Sequence, residues 1–253
     1  MECSFYENPS RLVYEFPIYT CEGDSNGNIK LSRILQLNQT VGEFYCEHYG
    51  LTYSKMVSDG YTIIMNRCFG SFSKPITVEN QRLIFDTMIR KLGGARIVRD
   101  TIIRDCNREE LGRVSLESAC MDIETRRIIR STGFKEALSG VELSDPWKAD
   151  KHSFSSNDFK IMGIRKAYYS NIDYNGHVNN SVYSDIAMDF LPFDNYNRTG
   201  IKSFSLNFIK EIRLDEEIEI YAKDVSDNDT KKAEIYGQAQ SGKNFEFFAE
   251  FWK

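Results

Sequence analysis

The sequence lacks the features that mark membrane, secreted and nucleic-acid-binding proteins. No apolar run approaches the roughly 18 residues that a membrane helix requires, and the start, Met1-Glu2-Cys3-Ser4, has no charged segment followed by an apolar one. The formal net charge of -5 is shared by both halves, so neither half has the basic excess of a nucleic-acid-binding domain. We therefore expect a cytoplasmic protein with no membrane span and no nucleic-acid partner.

Motifs of zinc sites and of disulfide frameworks are missing as well. All six cysteines lie at or before Cys120 and include no Cys-x-x-Cys pair, which argues against a zinc site or a disulfide framework. We expect reduced thiols, no metal and no organic cofactor.

What the sequence does contain is one order of elements that occurs twice. In the first half, apolar residues alternate as in a strand over residues 12–18 and then recur at helical spacing from Leu31 to His48, before Gly50. Several strand-like runs follow. The second half repeats this order, with a strand at 159–169, a helix at 180–191 and further strands.

A short loop repeats together with the elements. Asp24-Ser25-Asn26-Gly27-Asn28 matches Asp173-Tyr174-Asn175-Gly176-His177 except at the second and last positions. Both loops come directly before a predicted helix, which favours duplication of one unit. We predict an α+β fold with a first domain at residues 1–135, a linker at 136–157 and a second domain at 158–253.

The second loop groups an acid, an imidazole and several amides in front of a helix. Asn179 or Asn180 can cap that helix, and backbone N–H groups at a helix start suit a developing oxyanion. Turn and cap chemistry alone would explain the Asp and Asn residues, but not His177. We expect three substrate-binding residues at the helix start: Val178, Asn179 and Asn180.

A carboxylate follows in the next predicted strand. Apolar residues occupy the even positions from Phe204 to Leu214 with the exception of Lys210, so Glu211 falls on the face away from the core. From this pattern alone, Glu211 is a solvated strand carboxylate.

The motif Asp-x-Asn-Gly-His-Val-Asn-Asn-x-x-Tyr, from Asp173 to Tyr183, resembles that of the acyl-ACP thioesterases of bacteria and plants. A second block, Arg99-Asp100, Arg104 to Asn107 and Glu124 to Arg127, is similar to the same family. That resemblance implies two tandem hot-dog domains, each an antiparallel sheet wrapped around a long helix. It also implies a hydrolase that frees fatty acids from acyl thioesters, with the acyl chain in the first domain.

The resemblance further implies four catalytic residues: Asp173, Asn175, His177 and Glu211. Glu211 matches the family's glutamate by its spacing of 211 - 177 = 34 positions from the histidine. In this reading Glu211 activates a water, His177 and Asn175 orient the water and the thioester, and Asp173 fixes the loop and helps to polarise it. Ile212 stands where plant members often carry cysteine, and Ile186 replaces a tryptophan, which leaves acyl-chain preference open.

The implied partner is an acyl carrier protein bearing a phosphopantetheine-linked acyl chain. Carrier proteins of this kind are acidic, so docking requires a local basic rim. The candidates flank the loop or Glu211: Arg165, Lys166, Lys202, Lys210 and Arg213. Two alternatives stay open, namely an acyl-CoA thioesterase and a non-catalytic acyl-binding module, and the sequence does not decide whether the chain forms a homodimer.

Overall fold

The computed structural model describes residues 4–5, 10–130, 132–143, 147, 152–192 and 199–252. Its helices are α1 (Leu31–His48), α2 (Tyr53–Ser58), α3 (Thr132–Ala137) and α4 (Val182–Asp189). Short 3₁₀ helices lie at Thr20–Glu22, Val78–Asn80 and Tyr169–Asn171. No helix among the described residues is both long and apolar enough to cross a membrane.

The strands of the first half are β1 (Ser4–Phe5), β2 (Arg11–Pro17), β3 (Tyr61–Phe72), β4 (Arg82–Gly93), β5 (Arg96–Arg104), β6 (Glu110–Asp122) and β7 (Ile128–Ile129). Those of the second half are β8 (Lys160–Lys166), β9 (Ile201–Phe208), β10 (Glu217–Asp224), β11 (Lys231–Ala239) and β12 (Gly242–Phe251). Antiparallel pairing joins β2 to β4 to β5 to β6, and β9 to β12 to β11 to β10 to β8. The predicted α+β class is confirmed.

The chain forms two compact units that are not contiguous in sequence. Unit 1 comprises Met1–Ile18, Leu37–Cys68 and Asn80–Lys148. Unit 2 comprises Tyr19–Gln36, Phe69–Glu79 and Ala149–Lys253. The first loop, the first turns of α1 and the end of β3 therefore pack with the second half of the chain, a grouping that the linear boundaries 1–135 and 158–253 do not describe.

Unit 1 packs α1 on a sheet whose core contains one buried cation. Leu12, Leu83, Phe85 and Ile103 are fully buried. Arg99 on β5 is also buried, and its guanidinium donates to the backbone carbonyl of Asn38, to the Asn38 side chain and to two threonine hydroxyls. Burial lowers the pKa of Arg99. The layer between α1 and the sheet is therefore polar at its centre.

The first helix follows the predicted boundaries and the last one does not. Residues 31–48 form α1, and Gly50 has the left-handed φ of 71° that ends such helices. The predicted helix at 180–191 is shorter, because α4 begins at Val182. The Asn179 side chain accepts hydrogen bonds from the N–H and hydroxyl of Ser181, at 2.9 and 2.7 Å, and so builds a turn before the helix starts.

Both copies of the repeated loop lie in unit 2 and have the same backbone. Asp24 N–H donates to the Asn28 carbonyl at 2.7 Å, and Asp173 N–H donates to the His177 carbonyl at 2.8 Å. The two glycines have φ angles of 80° and 78°. The loops are equivalent in fold and differ in the side chain at their last position, asparagine in one and histidine in the other.

Candidate active site

The second loop is organised by its aspartate. Asp173 Oδ1 accepts the N–H of Asn175 at 2.8 Å, and the Asp173 carbonyl accepts the N–H of Gly176 at 3.0 Å. The Asn175 side chain is exposed and makes no hydrogen bond to any residue that the structure describes. Asp173 therefore shapes the loop, while the Asn175 amide stays available to a ligand.

His177 and Glu211 form a close pair at the end of this loop. His177 Nε2 lies 2.9 Å from Glu211 Oε2, and the two side chains are 23% and 26% exposed. Arg213 Nη2 lies 3.0 Å from the other carboxylate oxygen. A carboxylate oriented by an imidazole and a guanidinium, and within reach of solvent, is positioned to accept a proton from a water molecule.

The prediction that Glu211 lies on a strand is wrong. Strand β9 ends at Phe208, and Glu211 belongs to the connection before β10. Its neighbour Ile212 is fixed from two directions, since Ile212 N–H donates to the Tyr183 hydroxyl at 3.1 Å and the Ile212 carbonyl accepts from Val178 N–H at 2.8 Å. These contacts tie the Glu211 segment to both α4 and the catalytic loop.

The prediction that residues 178–180 form the helix start is also wrong, because all three precede α4. Val178 N–H donates to the Ile212 carbonyl, and Asn179 N–H donates to the Asn171 carbonyl at 2.8 Å. Neither N–H is free to bind an oxyanion in this arrangement.

The five predicted basic residues differ in their surroundings. Three are paired with carboxylates: Lys166 with Asp215, Lys202 with Glu250 and Arg213 with Glu211. Arg165 lies beside the Tyr168 ring, with its Cζ 5.9 Å from the ring centroid. Lys210 is exposed and makes no ion pair with a described residue.

The first loop carries none of this chemistry. Position by position, Asn28 corresponds to His177, and the backbone pairing of Ile29 with Ile76 makes Pro75 the counterpart of Glu211. Asn28 is 7% exposed, and a Cβ built on Gly200 would lie 3.1 Å from its Oδ1. A cavity of about 20 Å³, room for about one water, remains beside Asn28.

Sequence reasoning missed the surroundings of the other two histidines. His48 recurs at the helical spacing of the apolar residues of α1, yet it is exposed, with its ring edge against Tyr49. His152 stacks on Phe248 at 3.8 Å between ring centroids, and its Nε2 is 2.5 Å from the buried Glu234 carboxylate. Glu234 lies 82 positions away in the chain, so no local spacing signals this pair.

Comparison with known proteins gives one match to a family model. Residues 155–253 match the family model described as acyl-ACP thioesterase C-terminal domain. No curated protein matches the chain.

Two solved structures of acyl-ACP thioesterases are similar in fold over nearly the whole chain. One is from Bacteroides thetaiotaomicron, with a TM-score of 0.85 and 18% identity, over 98% of this chain and 100% of that one. The other is the 12:0-ACP thioesterase from Umbellularia californica, with a TM-score of 0.80 and 18% identity, over 96% and 94% of the two chains. The expectation of two tandem hot-dog domains is confirmed. Residues 155–253 thus match the C-terminal domain of the acyl-ACP thioesterases, and the similarity in fold to acyl-ACP thioesterases extends over nearly the whole chain.

Proposed function

We propose that this chain hydrolyses fatty acyl thioesters of acyl carrier protein at the His177–Glu211 pair, releasing a fatty acid and the carrier thiol. The observation that carries the proposal is the 2.9 Å contact between His177 Nε2 and Glu211 Oε2, at the end of the loop that also carries the exposed Asn175. A positioned base next to a free amide donor is what water attack on a thioester requires.

In the proposed reaction, Glu211 takes a proton from a water molecule, and the hydroxide attacks the thioester carbonyl carbon. The C–S bond then breaks, the thiolate leaves, and the proton passes through the His177–Glu211 pair to the sulfur. Asp173 holds the loop in place. No cysteine takes part, since Ile212 follows Glu211 and the second half of the chain has no thiol.

The oxyanion donor in this proposal is a side chain. Because the N–H groups of Val178 and Asn179 are already used by backbone carbonyls, we assign the donor to the exposed side-chain amide of Asn175, in the same loop as His177. Loss of one such donor typically lowers turnover about a hundredfold or more.

Substitution of the pair tests the site. We expect Glu211→Gln and His177→Ala each to lower kcat by about a hundredfold or more, because a positioned base or its partner is lost. Thermal melting should stay close to that of the parent, as both side chains are partly exposed. Asp215→Asn, which removes a carboxylate only from the Lys166 ion pair, is the matched control. Near-normal turnover by both variants would contradict the assignment of His177 and Glu211 as the catalytic pair. It would also remove the reason to prefer an enzyme over an acyl-binding module.

The carrier preference is tested at Lys210, which is exposed and makes no ion pair with a described residue. Reversal of Lys210 to Glu is expected to lower kcat/KM for an acyl carrier substrate several-fold at low salt, through slower association. Hydrolysis of a short synthetic thioester should be unchanged. Arg213→Glu is the contrasting variant, and we expect it to slow both substrates because Arg213 contacts Glu211.

A hydrolysis panel over chain lengths on both carriers separates the two enzyme hypotheses. Higher kcat/KM for acyl carrier substrates, with a steep dependence on salt, supports the proposal. A preference for acyl-CoA would assign the chain to the other carrier.

We propose the first domain, residues 1–135, as the site of the acyl chain, where buried Arg99 would limit how far an alkyl chain enters the layer under α1.

A further inference from the structure

The segment that carries Glu211 has no strand ladder to hold it. The last paired residue of β9 is Phe208, opposite Phe245 of β12, and β10 begins only at Glu217. Backbone groups in a partly buried segment must nevertheless find partners. The residues that supply those partners determine where the Glu211 carboxylate points.

Asn244 supplies them on one side. The N–H groups of Ile209 and Lys210 both donate to the Asn244 backbone carbonyl, at 2.9 and 3.0 Å. The Asn244 side-chain amide reaches the Glu211 carbonyl oxygen, with 3.4 Å from nitrogen to oxygen. Its other end, Oδ1, accepts the N–H of Ala239 at 2.8 Å.

A bulge in the sheet explains how one residue reaches both neighbouring strands. Gly237 of β11 pairs with Phe245 and Gln238 pairs with Lys243, so Asn244 is an extra residue in β12. Bulges of this kind re-aim a side chain and are common beside active sites. At this bulge the amide bridges β11 on one side and the Glu211 segment on the other.

Phe245, the residue after the bulge, contributes to holding the Glu211 segment on its other side. A Cβ on Gly237 would lie 2.3 Å from the Phe245 ring, so only glycine leaves room for that ring. Phe245 in turn packs edge-on against Tyr183, at 5.4 Å between ring centroids. Because the Tyr183 hydroxyl accepts from Ile212 N–H, the segment is held on either side of Glu211, by Asn244 before it and by Tyr183 after it.

We propose that Asn244 is a positioning residue for Glu211: its buried side-chain amide holds the Glu211 carbonyl, and its backbone carbonyl holds residues 209 and 210, so that the carboxylate meets His177. Asn244 is 0% exposed. Burial of an amide in an apolar core costs free energy unless it is hydrogen-bonded, and both ends of this amide are. This inference rests on the proposed function, since it assigns a role to Asn244 only through Glu211.

A double-mutant cycle tests the inference. We expect Asn244→Ala to lower kcat about tenfold or more, with KM changed by less than about threefold, because a small displacement of a catalytic group is costly while binding groups stay in place. Asn244→Asp, which keeps the size and the acceptor for Ala239 but places an oxygen against the Glu211 carbonyl, should have the same effect. In a Glu211→Gln background neither change should slow the enzyme further, because the carboxylate that Asn244 positions is already absent.

A control and a spectroscopic measurement separate positioning from loss of stability. Asn207→Ala removes a hydrogen bond to Glu246 in the same strand pair and should leave kcat within about twofold of the parent. In the Asn244 variants, the ring proton resonance of His177 should shift, while that of His152, in the same unit, should not.

Two results would overturn the inference. One is a further loss of kcat from Asn244→Ala in the Glu211→Gln background equal to its loss in the parent. The other is an unchanged His177 resonance in a folded Asn244→Asp protein. If Glu211→Gln alone retains full turnover, the proposed function fails instead, and the two failures are distinguishable.

Discussion

Burial sets the reactivity of the thiols in unit 1. It raises the pKa of Cys46 to about 11 and that of Cys68 to about 12. A thiol attacks only as its thiolate, so these two are unreactive at neutral pH. Cys21 and Cys106, by contrast, are exposed.

Alkylation therefore tests the water mechanism. Iodoacetamide at neutral pH is expected to label Cys21 and Cys106 before Cys46 and Cys68, without loss of turnover, as peptide mass spectrometry and a parallel activity assay would show. A variant with all six cysteines replaced should also remain active if it folds. Inactivation that tracks the labelling of one thiol, and that substrate prevents, would indicate a cysteine nucleophile and contradict the proposal.

The two loops form a matched pair of elements for separating shape from chemistry. Asp24 Oδ1 accepts the N–H groups of Asn26 and Asn28 at 2.8 and 3.0 Å. Asp173 plays the same part for Asn175. The hydrogen bonds are similar, but only the second loop ends in a histidine paired with a glutamate.

Replacement of each aspartate by alanine should therefore give different results in two assays. We expect Asp24→Ala and Asp173→Ala both to destabilise unit 2, by about 1–3 kcal/mol, because N–H groups of the loop lose their acceptor. Only Asp173→Ala should lower kcat, by about tenfold or more. Denaturant unfolding and steady-state kinetics measure the two effects. Equal loss of kcat in both variants would mean that the first loop contributes to catalysis.

Local patterns predicted elements well where the signal and its cause lie close together in the chain. The spacing of apolar residues and Gly50 gave both ends of α1 correctly. The position of Glu211 was wrong because the apolar alternation continues past Phe208, while the backbone leaves the sheet there. The cause is a bulge at Asn244, 33 positions further along, and no pattern around Glu211 records it. The pairing of Glu211 with His177 came from family resemblance rather than from periodicity.

On the scale of the whole molecule, local sequence patterns could not predict the grouping into two units, because the contacts that create it join residues far apart in the chain. The segments 19–36 and 69–79 pack with the second half through contacts such as the Phe72–Phe204 ring stack, at 6.2 Å between centroids. Such contacts join residues more than a hundred positions apart. Periodicity indicates which face of an element is buried but does not indicate its partner.

The segment before β8 is tied to the sheet of unit 2 by an acidic side chain. Burial alone would raise the pKa of Glu234, but hydrogen bonds from Ser155 and His152 outweigh it and hold that pKa below its ordinary value of 4.5. A carboxyl whose pKa is lowered on folding stabilises the protein above its ordinary pKa, and this stabilisation is lost as the pH falls through the folded value.

Glu234→Gln should therefore lower the melting temperature at pH 7 by several degrees, corresponding to about 1–3 kcal/mol. The difference from the parent should narrow as the pH falls below about 4.5. Thermal melts followed by circular dichroism at pH 7, 4 and 3 measure it, with the exposed Glu217→Gln as the control. A gap between parent and variant that stays constant with pH would contradict this account of the His152–Glu234 contact.

The first loop, which has no histidine–glutamate pair, also bears on how a chain with two similar loops can evolve. In a symmetric dimer of identical subunits, one gene specifies both loops, and every substitution appears twice. Here the two copies are specified separately. The first has a buried asparagine under Gly200 and a proline at Pro75, whereas the second keeps a half-buried histidine and glutamate within reach of solvent. With both loops in one chain, selection for packing can therefore act on one loop and selection for turnover on the other.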